Sequence, residues 1–147
     1  MVESKKEFKR IVVPIDGSKA SKKAAKKAFS LAEKTDLDVT LMHVVHIPAT
    51  ALPPTEATVY NPDVEGAVRK KGRDILDEFK EMGSKSNVKI KTKLIEGVPD
   101  DEIVKESKKN DLIIMGSKGH SAVGRVLIGS VSEKVLHHSD ATVMIVR

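Results

Sequence analysis

Five short apolar runs alternate along this chain with stretches of helical spacing. The runs are RIVVPI (10–15), DVTLMHVVH (38–46), NVKIKTKLIEG (87–97), DLIIM (111–115) and TVMIV (142–146). Strands separated by helices are joined by crossovers, and crossovers build a parallel sheet covered by helices on both faces. Residues 10–15 and 111–115 are the most uniformly apolar, as strands buried on both sides are. Residues 87–97 alternate polar with apolar, as a half-exposed strand near an edge does. With 10–15 and 111–115 as neighbours, the winding reverses between them and the spatial order becomes 3-2-1-4-5. The expected fold is therefore α/β: one domain over 1–147, an open five-stranded parallel sheet of Rossmann-like type.

The helical segments carry their own signals. In residues 19–34 the stripe Ala20, Ala24, Ala28 and Leu31 is interleaved with Lys19, Lys22, Lys23, Lys26 and Lys27. From Asp63 to Met82, Val64, Val68, Ile75, Leu76, Phe79 and Met82 mark one face, with Gly72 in the stripe. PDDEIVKES opens with proline and three acids, which suit the free N–H groups and the dipole of a helix start. SVSEKVLHH (130–138) reads as a short helix. Residues 47–62 hold four prolines and no periodicity, so a loop covering the site is expected there.

Composition narrows the function classes. The net charge is +5, but the lysines fall on a helix face that reads as solvated, and aromatics make up 3%. Bases would have almost nothing to stack on, so no nucleic-acid partner is expected. The absence of cysteine excludes disulfide and thiol chemistry and agrees with a reducing cytoplasm, the expected location. No run approaches the ~20 apolar residues that span a bilayer. MVESKKEFKR does not open a signal peptide, because Pro14 and Asp16 interrupt the apolar run behind it.

In a sheet of this order, ligands bind beyond the carboxyl ends of the strands where the winding reverses. Two segments leave those ends, DGS at 16–18 and the loop MGSKGHSAVGRVLIGS that starts at Met115. Gly116, Gly119, Gly124 and Gly129 in this loop read as free of any packing role. A helix beginning near Ser130 offers N–H groups and partial positive charge to a phosphate. Gly129 lets a phosphate oxygen approach, and Ser130 and Ser132 add hydroxyls. A helix cap would explain Ser130 alone but not four glycines around it. Lys118 and Arg125 are cations that either steady phosphates or remain solvated. The loop is not a Walker motif: in GHSAVGRV, Arg125 and Val126 stand where Lys and Ser or Thr are required. His43 and His46, three apart on a strand, point to opposite faces and cannot share a metal. No general base, Ser-His-Asp set or metal-ligand cluster is visible from spacing.

Gly116-x2-Gly119-x9-Gly129-Ser130 resembles the G-2x-G-9x-G-(S/T) signature of the universal stress protein family, in its ATP-binding branch. IVVPIDGS (11–18), LMHVV (41–45), EGVPDDEIV (96–104), DLIIMGSKG (111–119) and SDATVMIVR (139–147) resemble family blocks in family order. The resemblance implies an adenine nucleotide alpha hydrolase-like fold and a stress-response regulatory module. It places Pro14 and Asp16 in the nucleotide site, with Asp16 at the nucleoside and Val44 lining the adenine pocket. Met115 and Gly116 would lie beside the adenosine, and Gly119, Gly129, Ser130, Val131 and Ser132 around the phosphates. It further implies ATP as ligand, with Mg²⁺ or Mn²⁺, and a homodimer. The apolar last strand, 142–146, is the expected dimer edge. The alternatives are a slow ATP-hydrolysing enzyme and a nucleotide-free dimeric adaptor with an unknown protein partner.

Overall fold

The computed structural model describes residues 6–46, 62–118 and 128–147. In chain order the elements are β1 (Arg10–Pro14), α1 (Lys19–Thr35), β2 (Asp38–Val45), α2 (Pro62–Gly83) and β3 (Ile90–Glu96). They continue with α3 (Pro99–Glu106), β4 (Asp111–Gly116), α4 (Ser130–His138) and β5 (Thr142–Val146). The strands form one sheet in the order β3-β2-β1-β4-β5, and every neighbouring pair is parallel. This is the expected order, with the reversal of winding between β1 and β4. The expected covering loop, 47–62, lies outside the described residues except for Pro62, which opens α2.

Side-chain alternation along the strands divides the core in two. Ile11, Val13, Leu41 and Ile114 pack with Ala24, Ala28 and Phe29 of α1 and with Leu76 and Phe79 of α2. Val12, Met42, Ile113 and Met115 pack on the other face with Ile103 of α3 and Val135 of α4. Ile11, Val12 and Val13 are wholly inaccessible, as are Ile113 and Ile114, because a central parallel strand is covered on both sides. The alanine stripe of α1 faces the sheet, while Lys23, Lys26 and Lys27 are exposed and Lys22 pairs with Glu78 at 3.2 Å. The solvated reading of that lysine face describes these residues correctly. Ser18 caps α1 by accepting the Ser21 N–H, and Asp36, left-handed at φ 56°, ends it. Gly72 lets α2 settle on the sheet: a Cβ there would stand 2.7 Å from Leu94 Cδ1 and 2.9 Å from His43 Cδ2.

The amino ends of β1 and β4 are clamped together. Arg10 stands opposite Asp111 in the register and donates Nε and Nη2 to its two carboxylate oxygens at 3.1 and 3.0 Å. Nη2 also reaches the Glu106 carbonyl at 2.9 Å, and the Lys108 N–H donates to Asp111 at 2.7 Å. The Asp111 hydrogen bond holds the Arg10 guanidinium above its ordinary value, against the opposing effect of burial. This network braces the end of the sheet farthest from the reversal crevice.

The two sheet edges differ. On β3, Lys91, Thr92 and Lys93 are exposed, and lysine blunts an open edge. β5 carries TVMIV, with Met144 37% exposed. No helix among the described residues is long and apolar enough to cross a membrane.

Candidate functional site

The carboxyl ends of β1, β2 and β4 meet where the winding reverses. β1 gives way at Ile15, whose N–H donates to the Met42 carbonyl at 2.8 Å. The carbonyl of Ile15 accepts from the imidazole Nδ1 of His43 at 2.7 Å, so that nitrogen carries the proton. Next comes Asp16, half-buried, whose Oδ1 accepts the Ser18 N–H at 2.9 Å. The aspartate therefore shapes the turn into α1, the role a DGS sequence suggests by itself, while standing at the crevice. From spacing alone His43 reads only as a residue that cannot share a metal with His46. It fixes the peptide that presents Asp16, which no spacing rule would reveal.

On the face shared with α3 and α4, Val44 is half-buried and packs beside Ile95, and Met115 is 5% exposed in the same cluster. Val131 joins that cluster from the first turn of α4. Pro14, half-buried, pairs with Met42 in the sheet.

Gly116 corrects the expectation that these glycines are free of packing. A Cβ on Gly116 would stand 2.7 Å from the Ala20 carbonyl carbon and 2.8 Å from its oxygen. Those are backbone atoms of the first turn of α1, which cannot swing aside, so a side chain here forces α1 off β4. The glycine is needed for close packing of helix on strand, whatever else lies against it.

The base of the glycine loop is closed. The Ser117 N–H donates to the Val146 carbonyl at 3.0 Å, and the Gly129 N–H to the Ser117 carbonyl at 2.6 Å. Gly129, not Ser130, is the N-cap of α4, and no side chain caps that end. Ser130 is exposed at the first helical position. Ser132, 5% exposed, turns its hydroxyl to the Gly116 carbonyl at 2.9 Å. It thereby ties α4 to the end of β4, a contact not foreseen. α3 differs: Pro99, Asp100, Asp101 and Glu102 fill its first turn, where acids complement the dipole. The α4 end, with glycine and small residues and no carboxylate before Glu133, is the one suited to an anion.

The structure thus places Pro14, Asp16, Val44, Met115 and Gly116 at the carboxyl ends of β1, β2 and β4, and Gly129, Ser130, Val131 and Ser132 at the start of α4. Gly119, with Gly124, His120 and Arg125, lies outside the described residues. Among the described residues no group of three His, Cys, Asp or Glu side chains is placed to hold a metal.

An open five-stranded parallel sheet in the order 3-2-1-4-5, with helices packed on both faces, defines a Rossmann-like α/β protein. Residues 7–147 match the Universal stress protein family. The chain is 37% identical over 143 residues to the universal stress protein MJ0531 of Methanocaldococcus jannaschii, covering 95% of this chain and 82% of that one. It belongs to the universal stress protein family. Among solved structures, the hypothetical protein MJ0577 superposes with a TM-score of 0.80 at 26% identity, over 95% of this chain and 96% of that one. A universal stress protein in complex with cAMP (TM-score 0.69, 24% identity, 97% and 99% covered) shares the fold. So does one from Archaeoglobus fulgidus in complex with dAMP (0.67, 18%, 97% and 100%).

Proposed function

We propose that this chain is a stress-response regulatory protein that binds ATP in the crevice between β1 and β4. One observation carries the reading: α4 begins at Gly129 with no capping side chain, beside the carboxyl end of β4, so its first N–H groups are available to a phosphate. Asp16 and Val44 lie on the β1–β2 side, where the nucleoside belongs in this reading. Met115 and Gly116 lie beside it, and Ser130, Val131 and Ser132 begin the helix that faces the phosphates. Two structural neighbours bind the adenine nucleotides cAMP and dAMP, which supports an adenine nucleotide as the ligand class. Mg²⁺ or Mn²⁺ would arrive with the phosphates, since magnesium is commonly held by substrate oxygens, water and a carboxylate or two. We read the chain as a binder rather than an enzyme, and its lack of cysteine suits the cytoplasm.

Protein purified without added nucleotide and sprayed under native conditions should retain ATP. Calorimetric titration should rank ATP above adenosine. A chain that takes up no adenine nucleotide in either experiment overturns the reading, and a preference for AMP over ATP overturns the choice of ATP.

The edge of β5 supports a homodimer. An apolar open edge invites pairing, and in a two-fold dimer β5 would pair antiparallel with its own copy. Light scattering at micromolar concentration should give twice 16.0 kDa for the parent. Met144→Lys and Ile145→Lys, made separately, should each give the monomer mass. A dimer unaffected by both substitutions would place the interface elsewhere.

A further inference from the structure

We infer that Arg147 grips the terminal phosphates of the bound nucleotide and so sets a preference for ATP over AMP. The inference rests on the nucleotide reading above and adds a residue to it. The register pairs Gly116 with Val146, which brings Arg147 opposite Ser117. The bond from the Ser117 N–H to the Val146 carbonyl is the one a parallel ladder makes at that pairing. The Ser117 carbonyl, which would take the next N–H of a longer β5, takes that of Gly129 instead. Two hydrogen bonds thus link the end of β5 to the cap of α4.

The side-chain face follows from alternation. Val143 and Ile145 pack in the cluster with α3 and α4, whereas Val146 packs in the cluster with α1 and α2. Arg147 follows the last strand residue, and the same alternation carried one step further would turn it to the α4 face, the side of the helix end that no side chain caps. It is exposed and has no ion-pair partner among the described residues.

The order of the strands says which part of a nucleotide it meets. The nucleoside end is assigned to β2 and β1, through Val44 and Asp16. A nucleotide reaching from there past β4 brings its last phosphates toward β5. A guanidinium offers a planar fork of donors that matches phosphate oxygens in pairs. AMP, ending at its first phosphate, would stop short of it.

The test compares ATP, ADP and AMP by calorimetry on the parent chain, Arg147→Ala and Arg147→Lys. Arg147→Ala should weaken ATP about tenfold, the lower end of what losing a charged hydrogen-bond pair costs at an exposed position. AMP affinity should not change, and Arg147→Lys should recover part of the ATP loss. Raising ionic strength should narrow the gap between parent and Arg147→Ala. Thermal unfolding followed by circular dichroism should superpose for all three chains, since Arg147 is outside both clusters. If Arg147→Ala binds ATP as the parent does, or loses ATP and AMP equally, the role assigned to Arg147 is wrong. If the parent binds none of the three nucleotides, the nucleotide reading fails and Arg147 has no such role.

Discussion

Replacing Asp111 with alanine lowers the unfolding free energy by about 3 kcal/mol, the low end of the ~3–5 kcal/mol expected when one partner of a buried pair is removed. Asp111 is 2% exposed and receives three hydrogen bonds, two from Arg10 and one from the Lys108 N–H. Its loss leaves the guanidinium facing the bare ends of β1 and β4. The low end applies because the Arg10 side chain keeps 21% of its exposure and still has Glu106 at 3.8 Å. Asp111→Asn keeps one acceptor for the Lys108 N–H and Arg10 Nη2 but turns an NH2 donor toward the Arg10 Nε–H, so it should recover only a small part of that loss. Urea unfolding with an unchanged slope is the measurement. A loss under ~1 kcal/mol for Asp111→Ala would show that water replaces the carboxylate at no great cost. Because this clamp sits at the amino ends of the strands, nucleotide affinity of the folded variant should equal that of the parent.

The sheet was legible because its signals were of the kind that burial imposes. DLIIM admits no polar residue after Asp111, and a strand covered on both faces cannot; NVKIKTKLIEG keeps lysines because one of its faces and its edge stay wet. From those two contrasts the order of strands followed once the reversal was placed between β1 and β4. The clamp between Arg10 and Asp111 was not legible. The two residues are far apart in sequence, and each opens a strand where a charge looks like a solvated boundary. Only the register that sets them side by side shows that they are a pair.

The end of the sheet where β1 and β4 part was legible in position, the roles of the residues there less so. Glycine spacing pointed to the end of β4, yet Gly116 is there because the backbone of Ala20 leaves no room for a Cβ. A glycine demanded by a ligand and one demanded by a neighbouring helix look alike in sequence, since both report close approach without saying of what. Ser132 shows the same ambiguity: its hydroxyl reads in sequence as a phosphate donor, but in the fold it donates to the Gly116 carbonyl. The oxygen of that hydroxyl has lone pairs to spare but no second proton, so its backbone N–H is the better donor for an anion. Asp16 shows the structural reading at work, holding the turn through Ser18 at the carboxyl end of β1. His43 is silent in the sequence because its work is a hydrogen bond to a main-chain carbonyl, which leaves no pattern in the residue order.

Gly129→Val should abolish measurable ATP binding in a chain that still folds. Gly129 caps α4 at φ −59° and ψ 154°, an extended conformation open to any residue, so the valine brings no backbone strain. Its N–H bond to Ser117 and its carbonyl bond to Glu133 both use the main chain and survive. What changes is the space in front of the first turn. A branched side chain at the cap crowds the start of α4, where the proposed reading brings the phosphate oxygens to the N–H groups of Ser130 and Val131. Two hydrogen bonds to a charged group are worth roughly 3–6 kcal/mol together, or about two to four decades in affinity. Adenosine, which makes no use of that helix end, should bind the variant as it binds the parent. Asp16→Ala should behave oppositely and weaken both ligands, because the proposed binding mode puts it at the nucleoside. Paired titrations of ATP and adenosine into each variant separate the two ends of the site. If Gly129→Val took up ATP with the parent's affinity, the phosphates would not lie on the start of α4, and the glycine would be there only to shape the turn out of the loop.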